Sequence, residues 1–250
     1  MKKNIINIAY KVFPILLIFY SLFVYLNYVF HIVDYNLNKI DYSLILACTI
    51  FTLLYSLRSK NSKLVCISFL FTVIADLILV FYIEYRIFGL IAFIFVQVAH
   101  GLRFSLAFKK ISLKLDLLIR GIAICIVEIG YVLITKSFDI TLFLTFFYFT
   151  LLVLNFIYSI FFFEKKNPLW ITLVIGFLFF ILCDIFVGVG CASDFFDIKE
   201  LLIYRIYDKA PFGLDWFFYI PAKTLLALST LIKNNTTKSN LSWHNSIIKV

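Results

Sequence analysis

Two aspartates occupy depths at which a lipid-embedded helix rarely carries charge. Asp76 lies in the middle of the apolar run Leu64–Tyr82, and Asp184 in the middle of Leu169–Val189. Each run is long enough to cross a bilayer, which takes about 20 apolar residues for a hydrocarbon core of roughly 30 Å. A carboxylate at that depth costs about 2.5–3.5 kcal/mol on insertion scales. Packing in lipid does not require that penalty twice, at equivalent places on two helices, so the pair points to chemistry. Two carboxyl groups in one low-dielectric pocket can divide a proton between them, giving one acid and one anion. That combination suits acid-catalysed hydrolysis through a cationic, oxocarbenium-like species, as glycosidases perform on sugars.

Other polar residues converge on the same layer. Counted at 1.5 Å per residue, Asp76 lies roughly 18 Å and Asp184 roughly 22 Å from the cytoplasmic ends of their runs. Lys223 lies roughly 10 Å from the outer end of the last run, near the same plane. Gln97, His100 and Arg103 follow an i, i+3, i+6 spacing and share one broad helical face. Glu128 is also near mid-depth. Arg103 is expected to extend towards the cytoplasmic interface. Trp170 and Trp216 are expected to anchor helix ends at the membrane interfaces. Pro221, beside Lys223, is expected to bend its helix. No metal site is expected: His31 and His244 fall at or beyond the membrane edge, which leaves His100 alone. No serine sits in a nucleophile-elbow pattern, and no cofactor is called for.

The elements that must position these residues are membrane helices. The chain is 63% hydrophobic and only 15% charged, where a soluble domain carries nearer a quarter charged residues to wet its surface. Eight apolar spans can be read, at about 9–33, 42–57, 64–83, 88–108, 116–135, 138–163, 168–190 and 216–232. All must be helical, because an open strand edge leaves its backbone unsatisfied in lipid. The expected fold is therefore an all-α, polytopic transmembrane bundle of about eight helices: one domain over 1–233, then a flexible cytoplasmic tail over 234–250. The basic N-terminus leads into a stretch too long for a signal core and without a small-residue cleavage site, so it reads as a retained first helix. Pro14 is expected in that helix's first turns.

Lysine and arginine set the orientation. The N-terminal segment, the even-numbered loops and the tail hold Lys2, Lys3, Lys11, Arg58, Lys60, Lys63, Lys109, Lys110, Lys114, Lys165, Lys166, Lys233, Lys238 and Lys249. The odd-numbered loops hold only Lys39, Arg86, Lys136, Lys199, Arg205 and Lys209, with Asp34, Asp41, Glu84, Asp194 and Asp197 among their acids. Both termini are thus placed in the cytoplasm, in a multi-pass protein of the cell membrane. This distribution accounts for the net charge of +9 without a nucleic-acid partner. The cysteines, four of them within spans, show no disulfide or zinc spacing and read as small apolar fillers. The residues between Cys191 and Asp215 form the one substantial loop. Phe69-Leu70-Phe71 precedes Asp76 as Phe177-Leu178-Phe179 precedes Asp184, and four crossings separate them. Such an echo would make two parallel four-helix repeats with the site where the halves meet.

At these residues the chain resembles the YhhN-like lysoplasmalogenase family of eight-helix membrane proteins. The matching blocks are Phe71-Thr72-Val73-Ile74-Ala75-Asp76-Leu77-Ile78-Leu79, then Phe88-Gly89-Leu90-Ile91-Ala92-Phe93 running on to His100. Gly176-Phe177-Leu178-Phe179-Phe180-Ile181-Leu182-Cys183-Asp184 and Tyr219-Ile220-Pro221-Ala222-Lys223 complete them, so the resemblance covers most of the chain. It departs from the family pattern at Ala75 (usually glycine), Cys183 (often serine), Arg103 (commonly tyrosine) and Lys223 (glutamine). The resemblance implies hydrolysis of the vinyl ether bond of a lysophospholipid taken from the bilayer, yielding a fatty aldehyde and a glycerophospho-alcohol. Either Asp76 or Asp184 would be the neutral acid and the other the stabilising anion and base for water, with His100 beside them; His100 and Gln97 would order water, and Lys223 would hold a phosphate or tune an aspartate. Glu128 joins this set as a positioning residue. Two alternatives stand beside this reading: a proton- or cation-coupled transporter or lipid-binding protein, and a family member that has lost catalysis. The oligomeric state does not follow from the sequence.

Overall fold

The computed structural model describes residues 2–30, 37–135, 138–192, 200–210 and 213–232, and within them every regular element is helical. In chain order these are α1 (Lys2–Phe30), α2 (Leu37–Tyr55), α3 (Lys60–Phe81), α4 (Arg86–Leu102), α5 (Leu113–Thr135), α6 (Ile140–Phe161), α7 (Trp170–Ala192), α8 (Leu202–Lys209) and α9 (Leu214–Leu228). Among the described residues, six stretches are long and apolar enough to cross a membrane: Lys11–Phe30, Lys60–Phe81, Ile83–Ala107, Leu113–Thr135, Ile140–Phe161 and Trp170–Cys191. Tyr42–Arg58 is apolar but shorter. Large apolar side chains stand exposed along these helices, among them Phe19, Ile126 and Leu133. Water would not tolerate such a surface, whereas lipid does. The protein is a multi-pass helical bundle.

Local chemistry fixes the helix ends. Ser59 caps α3, its hydroxyl accepting from the Ser62 N–H at 3.0 Å. Asp139 caps α6, accepting from the N–H groups of Thr141 at 2.8 Å and Leu142 at 3.0 Å. Beyond Leu102, α4 continues as a π-helical segment, Arg103–Ala107, and Lys109 then turns the chain through a positive φ of 53°. After α9 a single 3-10 turn, Ser229–Leu231, closes the helix.

α3 lies along α4, and α7 along α9; these are the most extensive packings in the bundle. The α7–α9 approach depends on Gly176, where an added Cβ would come within 3.0 Å of Leu226 Cγ. α5 is peripheral, resting chiefly on α6. The core between the helices holds Val65, Phe69, Val96, Phe177, Phe180 and Leu226, all buried.

Several expectations are corrected. α1 begins at Lys2, so Pro14 lies inside the helix rather than in its first turns. The loop after Cys191 contains the amphipathic α8, whose Arg205 pairs with exposed Glu200 at 2.5 Å. Trp170 is not an interfacial anchor: it is buried, and its indole N–H donates to Ser159 O at 2.8 Å, tying α7 to the end of α6. The tail 234–250, the junction at Lys136-Ser137, His31 and His244 lie outside the described residues.

Candidate functional site

The apolar face of α3 carries Val65, Phe69 and Thr72 into the core, and Asp76, one turn further, follows them inward. Its carboxylate is only 5% exposed, so burial alone would make it costly. The compensation comes from α9. The Tyr219 hydroxyl donates to Asp76 across both oxygens, 2.7 Å from Oδ1 and 2.6 Å from Oδ2. Asp184, on α7, is partly buried and receives a hydrogen bond from the Tyr148 hydroxyl of α6 on Oδ2.

Between the two tyrosine–aspartate pairs lies an aromatic layer that holds a lysine. Lys223, one helical turn beyond Tyr219, is 1% exposed. Its ammonium sits 3.7 Å from the Phe180 ring centroid, 4.6 Å from that of Tyr219 and 5.2 Å from that of Phe93. A cation so placed is held by ring quadrupoles, worth about 2 kcal/mol or more once desolvated. Among the described residues no carboxylate comes within 4.0 Å of it, yet both aspartates remain within its electrostatic reach. The rings connect the pairs: Phe180 to Tyr219 at 5.9 Å, Phe180 to Phe93 at 6.2 Å, and Phe93 to Tyr148 at 5.5 Å. Asp76, Lys223 and Asp184 therefore belong to one continuous site built from α3, α4, α6, α7 and α9.

Gln97 and His100 continue the inward face of α4 from Phe93, four and seven residues on. His100 thus lies roughly 10 Å along the helix from Phe93. Asn155 of α6 donates to Gln97 O at 2.9 Å and Oε1 at 3.0 Å, leaving the buried Gln97 Nε2 without a partner. His100 packs edge-on against Phe177 and meets Arg103 Nη1 through Nδ1 at 3.3 Å. The structure thus brings Asp76, Asp184 and Lys223 together, sets Gln97 and His100 below them, and leaves Glu128 apart on α5. Both Glu128 carboxylate oxygens are buried without a hydrogen-bond partner.

Arg103 does not reach for the membrane surface. It is fully buried, donating to Asn61 Oδ1 at 2.8 Å through Nε and to Ser229 Oγ at 2.9 Å through Nη2. Asn61 in turn donates to the carbonyls of Ser229, Thr230 and Ile232 at 3.1, 3.4 and 3.3 Å. The guanidinium therefore closes the carbonyl end of α9, where a cation is favoured. This brace holds together the start of α3, the end of α4 and the end of α9.

The tyrosines and the aromatic layer were not anticipated. Tyr219 could have been found from its four-residue spacing to Lys223, which puts both on one face. Nothing local distinguishes Tyr148 from its phenylalanine neighbours. Among the described residues no three His, Cys, Asp or Glu side chains come together as ligands for a metal ion. Compared with protein families, curated proteins and solved structures, the chain matches none of them.

Proposed function

We propose that this chain is an integral membrane hydrolase of the YhhN-like kind that cleaves the vinyl ether bond of a lysoplasmalogen-type lysophospholipid. The observation that carries the proposal is the pair of tyrosine-bound aspartates, Asp76 and Asp184, facing one aromatic layer inside the bundle. The reading takes α1–α7 and α9 as eight spans of a single unit over 1–233, in the cell membrane, with both termini cytoplasmic. An amphiphilic substrate enters sideways from the lipid, so the site needs no soluble domain.

A vinyl ether hydrolyses when an acid delivers a proton to its β-carbon, leaving an oxocarbenium ion. Water adds to that cation as its proton passes to the anionic aspartate and on to the one that gave its own, and the hemiacetal collapses to aldehyde and alcohol. Asp184 is assigned as the acid, because Tyr148 meets only Oδ2 and leaves Oδ1 clear of the tyrosine. Asp76, with both oxygens engaged by Tyr219, is the standing anion that stabilises the cation. Gln97, whose Nε2 has an unused donor, orders water with His100. Lys223 balances the two carboxyl groups and is positioned to meet a substrate phosphate. The aromatic walls of Phe93 and Phe180 favour the developing positive charge.

The test is incubation of the purified protein with a panel of lysoplasmalogens and ordinary lysophospholipids, with detection of free aldehyde. Aldehyde from the vinyl ethers alone supports the reading; none from any member of the panel defeats it. In that case the second reading, ion-coupled transport, rests on the unusual line of Asp76, Lys223 and Asp184 through the bundle.

A further inference from the structure

All three nitrogens of the Arg103 guanidinium are engaged, and the third engagement bears on His100. Nε donates to Asn61 Oδ1 at 2.8 Å, and Nη2 to Ser229 Oγ at 2.9 Å. A guanidinium is a rigid plane, so two anchored corners decide where the remaining one points. That corner, Nη1, meets His100 Nδ1 at 3.3 Å. Both side chains are buried, Arg103 at 0% and His100 at 1% exposed, so each depends on the other rather than on bulk water.

The pairing has one chemical solution. Arginine keeps its protons in proteins and has no acceptor. His100 Nδ1 must therefore supply a lone pair, and the proton of the neutral ring is then on Nε2. An imidazolium would set one N–H against another. Among the described residues no carboxylate comes within 4.0 Å of the ring to offset that clash, and its other neighbour is the Phe177 ring, 5.3 Å away between centroids. Gln97, one turn earlier on α4, is treated alike. Asn155 Nδ2 donates both to the Gln97 backbone carbonyl, which can only accept, and to Gln97 Oε1, so the side chain keeps its N–H groups and its acceptor is occupied. The inward face of α4 thus presents donors and no base.

We infer that Arg103 is a positioning residue that locks His100 in the neutral tautomer with its proton on Nε2, so that the imidazole can donate a hydrogen bond but cannot take up a proton. The brace of Asn61, Arg103 and Ser229 thereby has a second role: contacts from α3 and from the end of α9 set the chemistry of a ring on α4. The inference rests on the hydrolase reading only for its catalytic consequence. There, the proton released by the attacking water goes to an aspartate and never to His100.

The experiment places the full-length protein, labelled with nitrogen-15 in arginine and histidine, in phosphatidylcholine bilayers and reads the imidazole by NMR. His31→Gln and His244→Gln leave His100 as the one imidazole in the spectrum. Nδ1 should appear as an acceptor without a proton and Nε2 as an N–H, with magnetisation reaching Nδ1 from an arginine Nη–H. A proton on Nδ1 overturns the inference, and this measurement needs no change at Arg103. Arg103→Met should shift the tautomer ratio at least about tenfold towards Nδ1–H, as loss of a hydrogen bond to a charged group implies. Arg103→Lys, which keeps a cationic donor, should restore it. A ratio unmoved in a folded Arg103→Met also overturns the inference. In the aldehyde assay, His100→Gln keeps an N–H but has no basic nitrogen, so it should outpace His100→Phe about five- to tenfold. Equal rates in the two variants would overturn the donor role. Wild-type protein that releases no aldehyde would defeat the hydrolase reading, while the spectra still decide the tautomer.

Discussion

At the residue scale the site is two acids, each given one phenol. Asp76→Asn and Asp184→Asn keep shape and hydrogen bonding but can neither deliver a proton nor hold a charge. Each should cut aldehyde release by about 10²–10⁴-fold, or roughly 3–5 kcal/mol in the barrier, with the protein still folded. Near-normal release from both variants would remove the aspartates from the mechanism. Tyr219→Phe deletes one donor that serves both Asp76 oxygens. A hydrogen bond to a charged group is worth about 1.5–3 kcal/mol, so the rate should fall by about 10–150-fold. An unchanged rate would mean that the phenol only packs. The acids were legible in the sequence because a charge in an apolar run stands out against every neighbour. Their partners were not: in a chain with 15 tyrosines and 31 phenylalanines, only the three-dimensional register distinguishes Tyr148 and Tyr219 from filler.

At the scale of elements, the helical bundle and its six long apolar helices among the described residues could be read because lipid imposes one length and one backbone geometry on them. What escaped the sequence was set by neighbours. Whether Arg103 turns outward or inward depends on Asn61, 42 residues earlier, and on Ser229, 126 residues later. The π-helical segment that begins at Arg103 adds a residue to the turn and re-aims the side chains that follow it. The brace predicts its own test. Asn61→Ala would strip Arg103 of a buried acceptor and three carbonyls of a donor, and should lower stability by about 1–3 kcal/mol, read as a lower unfolding temperature in detergent. An unshifted transition would show that the brace is redundant. The echo between the aspartate helices does not extend to their partners. Exchanging parallel halves would carry α9 onto α4, whereas Asp184 takes its tyrosine from α6.

For the whole molecule, the charge asymmetry between loops predicts which face lies inside. In a cysteine-free background, Asp208→Cys on α8 should react with an impermeant maleimide on intact cells, and Lys110→Cys only after permeabilisation. The reverse pattern would invert the topology. Amphipathic α8 was hidden in a segment of mixed charge, because eight residues give too short a period to separate from a loop.

The unequal grip of the two tyrosines has a vibrational consequence. Tyr219 reaches both oxygens of Asp76, so its two C–O bonds approach equal order and it contributes paired carboxylate stretches to the infrared spectrum. Asp184, which Tyr148 meets through Oδ2, can carry its proton on the other oxygen and then shows a distinct carbonyl band that moves in heavy water. That band should vanish from the difference spectrum of Asp184→Asn and survive in Asp76→Asn, so light absorbed by the resting protein identifies the acid before any substrate is added.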